Sequence, residues 1–141
     1  MSEPLYTLDI LRLAAATGEF PRLAAPDATS EQRATTCGSR MVVDLAFDRE
    51  GRVAAYGQDV QACALGQAAA TLFARNAVGK SAAELVAVRA GFAAWLADTD
   101  APMPDWPGIE ALARARAYPG RHGAMRLPFE AAAAAAAQVP A

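Results

Sequence analysis

From Met41 to Asp48 the chain alternates. Met41, Val43, Leu45 and Phe47 fall on one face, and Val42, Asp44, Ala46 and Asp48 on the other. A period of two, rich in branched and aromatic side chains, predicts a strand with one buried face. Asp48-Arg49-Glu50-Gly51 carries turn chemistry, and Val53, Ala55 and Tyr56 begin a return strand, so an antiparallel hairpin is expected over about 40–60. A lone hairpin is marginal in water and needs further strands or covering helices.

The rest of the chain reads as helix and connector. Residues from about Leu5 to Ala16 place Leu8, Leu11 and Ala15 at helical spacing before Gly18, which predicts an amphipathic helix with that face inward. Residues 19–36 lose the pattern among Pro, Asp, Ser and Thr and are expected to form a loop. Cys63 opens an Ala-rich helix expected to reach about Val78, with Gly79 as its stop. Ser81-Ala82-Ala83-Glu84 is a capping box, and Leu85, Val88, Phe92, Trp95 and Leu96 then make a core-facing stripe. Pro102, Pro104 and Pro107 predict a rigid connector, followed by a short helix near Ile109 to Ala117 that Pro119-Gly120 breaks. A final helix is expected from about Leu127, fraying near Pro140; its seven alanines, Ala131 to Ala137, favour helix but offer little surface to pack. No repeat of solenoid length occurs.

At 141 residues the chain is expected to be a single domain able to bury its own core. Thirteen basic and fifteen acidic residues, with Lys80 the only lysine, give a net charge of −2 and argue against a nucleic-acid partner. No apolar stretch approaches a membrane span, and Met1-Ser2-Glu3-Pro4 lacks the basic start of a secretory signal. A cytoplasmic location without membrane association is expected, where thiols stay reduced and a Cys37–Cys63 disulfide is the weaker reading.

Cys37 and Cys63 are the only cysteines, and they bracket the hairpin. Cys37 opens a Cys-Gly-Ser-Arg turn, and Gly38 gives it backbone freedom. Cys63 falls at a helix start, where the dipole favours negative charge on sulfur. Together they form half of a metal or iron–sulfur site, against the alternative that both are small buried apolar side chains. His122, the single histidine, lies in an expected Gly120-Arg121-His122-Gly123 loop and is a candidate nitrogen ligand, against the alternative of a solvated loop residue. Gly79-Lys80-Ser81 lacks the upstream glycine and strand of a phosphate-binding loop and reads instead as helix stop and cap. Trp95 belongs to the core stripe; Trp106, set among prolines, is a lid or a plug.

This order of elements resembles the U-type iron–sulfur cluster scaffolds: IscU, SufU and the N-terminal domain of NifU. It runs from helix through Cys37-Gly38 with a strand, a glycine-bearing turn, a return strand and a Cys63-led Ala-rich helix to Gly79-Lys80-Ser81 and a capped helix. Residues 37–96 carry most of the match; a weaker match runs from Tyr118-Pro119-Gly120-Arg121-His122-Gly123-Ala124-Met125-Arg126-Leu127 to the end. The segment between Asp98 and Ala117 is more like SufU than IscU. The resemblance implies an α+β fold, a small antiparallel sheet covered on one side by helices. It also implies a site in which three cysteines plus an aspartate or histidine hold zinc or a nascent cluster, supplied by a cysteine desulfurase and passed to acceptor proteins.

Cys37 and Cys63 match the first two family cysteines. Ser39 stands where the family has its aspartate, and Ala124 where it has its third cysteine. The histidine preceding that cysteine in IscU falls at Gly123, one position from His122, and IscU's Leu-Pro-Pro-Val-Lys motif is absent. Cys37, Cys63 and His122 are therefore the candidate ligands for iron or a transient Fe–S cluster, with zinc as the other metal. A second protomer of a homodimer is one source of missing ligands. Three functions stay open: a scaffold or carrier with a depleted ligand set, a persulfide relay through Cys37 or Cys63, and a non-catalytic homologue that binds the desulfurase.

Overall fold

The structure is a computed structural model, which describes residues 5–35 and 38–139. Its element order is α1 (Leu8–Ala15), a 3₁₀ turn (Thr17–Glu19), β1 (Ala28–Ala34), β2 (Ser39–Phe47), β3 (Val53–Gln61), α2 (Ala64–Ala74), α3 (Ala82–Ala97), a 3₁₀ helix (Ile109–Ala117) and α4 (Pro119–Ala136). The three strands form one antiparallel sheet in the order β1-β2-β3. α4 packs across β1 and β2, α2 lies beside it toward β3, and α1 and α3 pack on α2 and α4 respectively. This is the expected α+β architecture. No helix among the described residues is long and apolar enough to cross a membrane.

The hairpin forms in the expected place, with Arg40 opposite Gln61 at one end and Phe47 opposite Val53 at the other. The support it needed comes from β1, which runs through the segment expected to be loop. Its sequence, Ala-Thr-Ser-Glu-Gln-Arg-Ala, has none of the β-branched richness that marks a strand except Thr29. It becomes a strand because β2 supplies its ladder and α4 covers Ala28, Ser30 and Ala34.

β2 is buried on both faces, contrary to the expected single buried face. Met41, Val43 and Leu45 point into the helix layer, while Val42 and Asp44 are buried on the other side. The cover there is the backbone of residues 20–23. It approaches so closely that a Cβ on Gly57 would lie 2.5 Å from the Pro21 carbonyl oxygen and 2.8 Å from the Leu23 nitrogen. Asp44 anchors this cover. Its carboxylate accepts from Arg22 Nε at 2.6 Å and Nη2 at 3.2 Å, from the Leu23 amide at 3.0 Å and from the Thr29 hydroxyl at 2.6 Å. Burial is the strongest influence on this group and pushes its pKa up. The bonds from Arg22, Thr29 and Leu23, with the Arg22 charge, outweigh it and hold the carboxyl below its ordinary range.

The helices differ from expectation in informative ways. α1 turns Ile10 inward and leaves Leu8 and Leu11 exposed, at 60% and 49%. Its leucines and isoleucine define two competing faces, and the one centred on Ile10 packs on α2. α2 ends at Ala74 rather than Val78, which is exposed. The glycine stop and capping box are as expected: Gly79 has a φ of 94°, and Ser81 and Glu84 cap each other reciprocally. All five residues of the α3 stripe are buried.

Pro119-Gly120 opens α4 instead of breaking a helix, because proline at the first helical position gives up only an amide that has no partner there. The last helix thus begins eight residues before the expected Leu127 (127 − 119 = 8), and its alanine run is central rather than peripheral. Ala131, Ala132, Ala133, Ala135 and Ala136 are buried, their small size letting α4 lie close on the sheet. The expected fraying at Pro140 lies outside the described residues. Phe129 on α4 stacks on Phe92 at 4.0 Å and meets Phe73 edge-on at 4.8 Å; Trp106 stacks on Phe73 at 4.6 Å and donates to the Leu72 carbonyl. Trp106 is a plug, 4% exposed.

Candidate functional site

Because Arg40 pairs with Gln61, the β1–β2 turn and the C-terminal end of β3 sit at the same end of the sheet. Gly38, at φ 71°, donates its amide to the Ala34 carbonyl and closes the turn onto buried Ser39. Cys37 lies in this turn by sequence, outside the described residues. β3 runs directly into Cys63, which is the extended N-cap residue of α2. Cys63 is half-buried against the edge of the core, carries a free thiol and makes no side-chain capping bond.

α4 brings its own N-terminus to this end. A Cβ on Gly66, in the first turn of α2, would lie 3.2 Å from Ala124 Cβ and 3.3 Å from the Ala124 carbonyl oxygen. Seven residues on, Phe73 meets Phe129, so the two helices run side by side in the same direction. Both positive dipole ends therefore face the end that carries Cys63, and neither first turn contains an acidic residue. Pro128 has no amide to offer the Ala124 carbonyl, and Gly66 leaves space for that oxygen. Ala124, expected from the resemblance to stand at the third cysteine's place, is 1% exposed and supplies only a methyl group.

His122 sits in the first turn of α4 rather than in a loop, since the helix begins before the glycines that flank it. Its Nε2 lies 2.9 Å from the Arg116 carbonyl. A carbonyl only accepts, so Nε2 carries the proton and a neutral ring keeps its lone pair on Nδ1. Arg116 is itself fixed, donating to the Trp95 and Asp98 carbonyls with its guanidinium over the Trp95 ring at 4.5 Å. An imidazole fixed through one nitrogen to a backbone carbonyl, with the other nitrogen bare, is oriented as a metal-ligating histidine is. His122 lines a groove of about 450 Å³ with Thr35, Ala34, Arg33, Arg126 and Glu130.

The fold thus brings His122 into one groove with Thr35, at the end of β1, and sets Ala124 against Gly66, three residues after Cys63. Cys63 does not line the groove that His122 lines. Among the described residues no group of three or more His, Cys, Asp or Glu side chains could hold a metal ion. Sequence reasoning missed Gly66 and Arg116. The first is readable as the one glycine in an alanine-rich helix, whereas nothing in the sequence singles out the second.

No family model matches the chain, and no curated protein matches it. Among solved structures, the NifU-like N-terminal protein described as nitrogen-fixing, from Brucella abortus, is 33% identical, with 95% of this chain and 93% of that one covered at a TM-score of 0.86. The chain belongs to the U-type scaffold family. A putative iron–sulfur cluster assembly scaffold protein for the SUF system, from the thermophile Fervidobacterium islandicum AW-1, shares the fold at 16% identity and a TM-score of 0.83, covering 94% of this chain and 96% of that one. A hypothetical protein shares it at 18% identity and a TM-score of 0.67, covering 91% and 96%.

Proposed function

We propose that this protein is an iron–sulfur assembly scaffold or carrier with a reduced ligand set, taking iron or a transient cluster as cargo on Cys37 and Cys63. The 33% identity to a NifU-like protein over nearly the whole chain supports this reading most strongly. The end that bears Cys63 suits the cargo: thiolate-bound clusters are anionic, and two helix N-termini face that end. His122, with Nδ1 free, is the additional donor. The donor set does not amount to the family's three-thiolate site, so the cargo is held weakly and handed on. A cysteine desulfurase is the source of sulfur, and Fe–S acceptor proteins receive the product.

Anaerobic reconstitution with iron and sulfide tests this. The expected result is charge-transfer absorption in the visible range that vanishes in Cys37→Ala and in Cys63→Ala and weakens in His122→Ala. A colourless protein free of iron and sulfide overturns it. A persulfide relay needs only one reactive thiol, and the free, half-buried Cys63 is suited to it. Mass spectrometry after incubation with desulfurase and cysteine separates the two: a sulfur adduct on a protein that never takes up iron favours the relay.

A further inference from the structure

The two edges of the sheet are treated differently. On β3 the Gln58 amide donates to the Phe20 carbonyl, while Val53 exchanges bonds with Lys80 and Gly79, so that edge is covered at its start and near its middle. On β1, among the described residues, the cover is one side chain. The Gln138 carboxamide accepts from the Thr29 amide at 3.4 Å and donates to the Thr29 carbonyl at 2.7 Å, as the peptide group of a neighbouring strand would. Backbone groups of alternate residues point to the same side of a strand, so Glu31 and Arg33 present their N–H and C=O groups along this edge. Among the described residues nothing pairs with them.

A groove runs beside this edge. One part, about 280 Å³, is lined by Gln32, by Ala133, Ala134 and Ala137 of α4 and by Val86 and Arg89 of α3. The second part, about 450 Å³, is the one that reaches His122 and Thr35; the two share Gln32 and Glu130. The walls are apolar toward the Gln138 end. The lining charges are Arg33, Arg89 and Arg126 against the single carboxylate of Glu130, which both Arg89 and Arg126 already engage. Glu31, on the outer face, is shared between Arg33 and Arg40.

We propose that the β1 edge is a docking site for an extended acidic segment of a partner protein, which adds as a fourth strand and ends beside His122. Unpaired edge groups supply the backbone bonds, the alanine wall and Val86 take alternate apolar side chains, and the excess of guanidinium selects carboxylates. A second copy of the chain fits less well. Edge-to-edge pairing would set Glu31 against Arg33 in both directions, but it would also bring each copy's Arg89, Arg126 and helical wall against the other's. The proposal is independent of the cysteine chemistry.

The probe is a fluorescein-labelled, acetylated octapeptide of alternating valine and glutamate, with a valine–lysine counterpart, read by anisotropy. The valine–glutamate peptide is expected to bind in the micromolar range, at least about tenfold more tightly than the lysine form. Arg33→Pro removes an outward amide and one lining guanidinium without touching the ladder to β2, and it should weaken binding about tenfold while unfolding at an unchanged denaturant midpoint; Arg33→Ala, which keeps the amide, should weaken it less. Val86→Asp should weaken binding similarly by charging the wall, and Cys63→Ser should leave it unchanged. Amide shifts in NMR spectra should fall on Glu31 and Arg33. Absence of binding, or binding indifferent to both Arg33→Pro and Val86→Asp, overturns the proposal. So does a concentration-dependent dimer that Arg33→Pro dissociates.

Discussion

Removing the Asp44 carboxylate should loosen the segment that covers the outer face of the sheet. Asp44→Ala leaves the Leu23 amide and the Thr29 hydroxyl without their charged acceptor, while Arg22, half exposed, turns to water. Taking about 1.5 kcal/mol for each of the two neutral donors gives a loss of about 3 kcal/mol. For 141 residues the unfolding entropy is roughly 0.3 kcal/mol per kelvin, so the melting temperature should fall by about 10 °C. Thr29→Val removes one donor and keeps the others, and should cost about 1 kcal/mol.

The pH dependence has a definite sign. The folded pKa of Asp44 lies below the unfolded value, so its stabilisation is complete above the ordinary carboxylate range and is lost as pH falls through the folded pKa. Urea titrations of wild type and Asp44→Ala at neutral pH and at successively lower pH should therefore converge in acid. A neutral-pH difference below about 1 kcal/mol, or a gap that widens in acid, would refute the view that this carboxylate anchors residues 20–23.

The same contact predicts that Gly57→Ala destabilises by about 2 kcal/mol or more, because the new methyl meets backbone at Pro21 and Leu23; an unchanged urea midpoint would count against the close approach. Phe129→Ala should cost about 4 kcal/mol, since its ring touches Phe92, Phe73 and Trp106, and calorimetry reads this directly. Ala124→Cys should raise the iron and sulfide retained after desalting of reconstituted protein, by supplying a third thiolate one turn from Cys63's helix start. Equal retention would show that position 124 does not face the cargo.

Elements whose fixing residues are local were legible in the sequence. The β2–β3 hairpin follows from alternation and turn residues, and α3 from a reciprocal cap and a five-residue stripe. β1 was not legible, because it is a strand by virtue of its neighbour and not of its composition. The start of α4 was obscured by Pro119 and Gly120, residues that break a helix in its interior but are tolerated in its first turn. On α1 the pattern supported two faces, and only the partner helix chose between them. Asp44 looked like an exposed strand residue because the segment that buries it lies more than twenty residues away. Of the candidate site, the placement of Cys63 at a helix start was readable. The helical setting of His122 and the contact between Gly66 and Ala124 depend on how α4 packs on α2.

That packing bears on how firmly the proposed cargo would be held. Each helix N-terminus contributes about 0.3–1 kcal/mol toward holding an anion, whereas a complete thiolate and imidazole zinc site contributes about 10–16 kcal/mol. The two parallel helix ends therefore cannot stand in for a metal-ligating thiolate. They can only bias the end of the molecule toward sulfide, persulfide or an anionic cluster while it is there. Meanwhile the fold does not rely on cargo at this position: Ala124 is buried against Gly66, and the stacked rings of Phe73, Phe92, Trp106 and Phe129 supply the core behind it. On the proposed reading, such a protein stays folded when empty and releases cargo readily. Those properties suit a carrier better than a store.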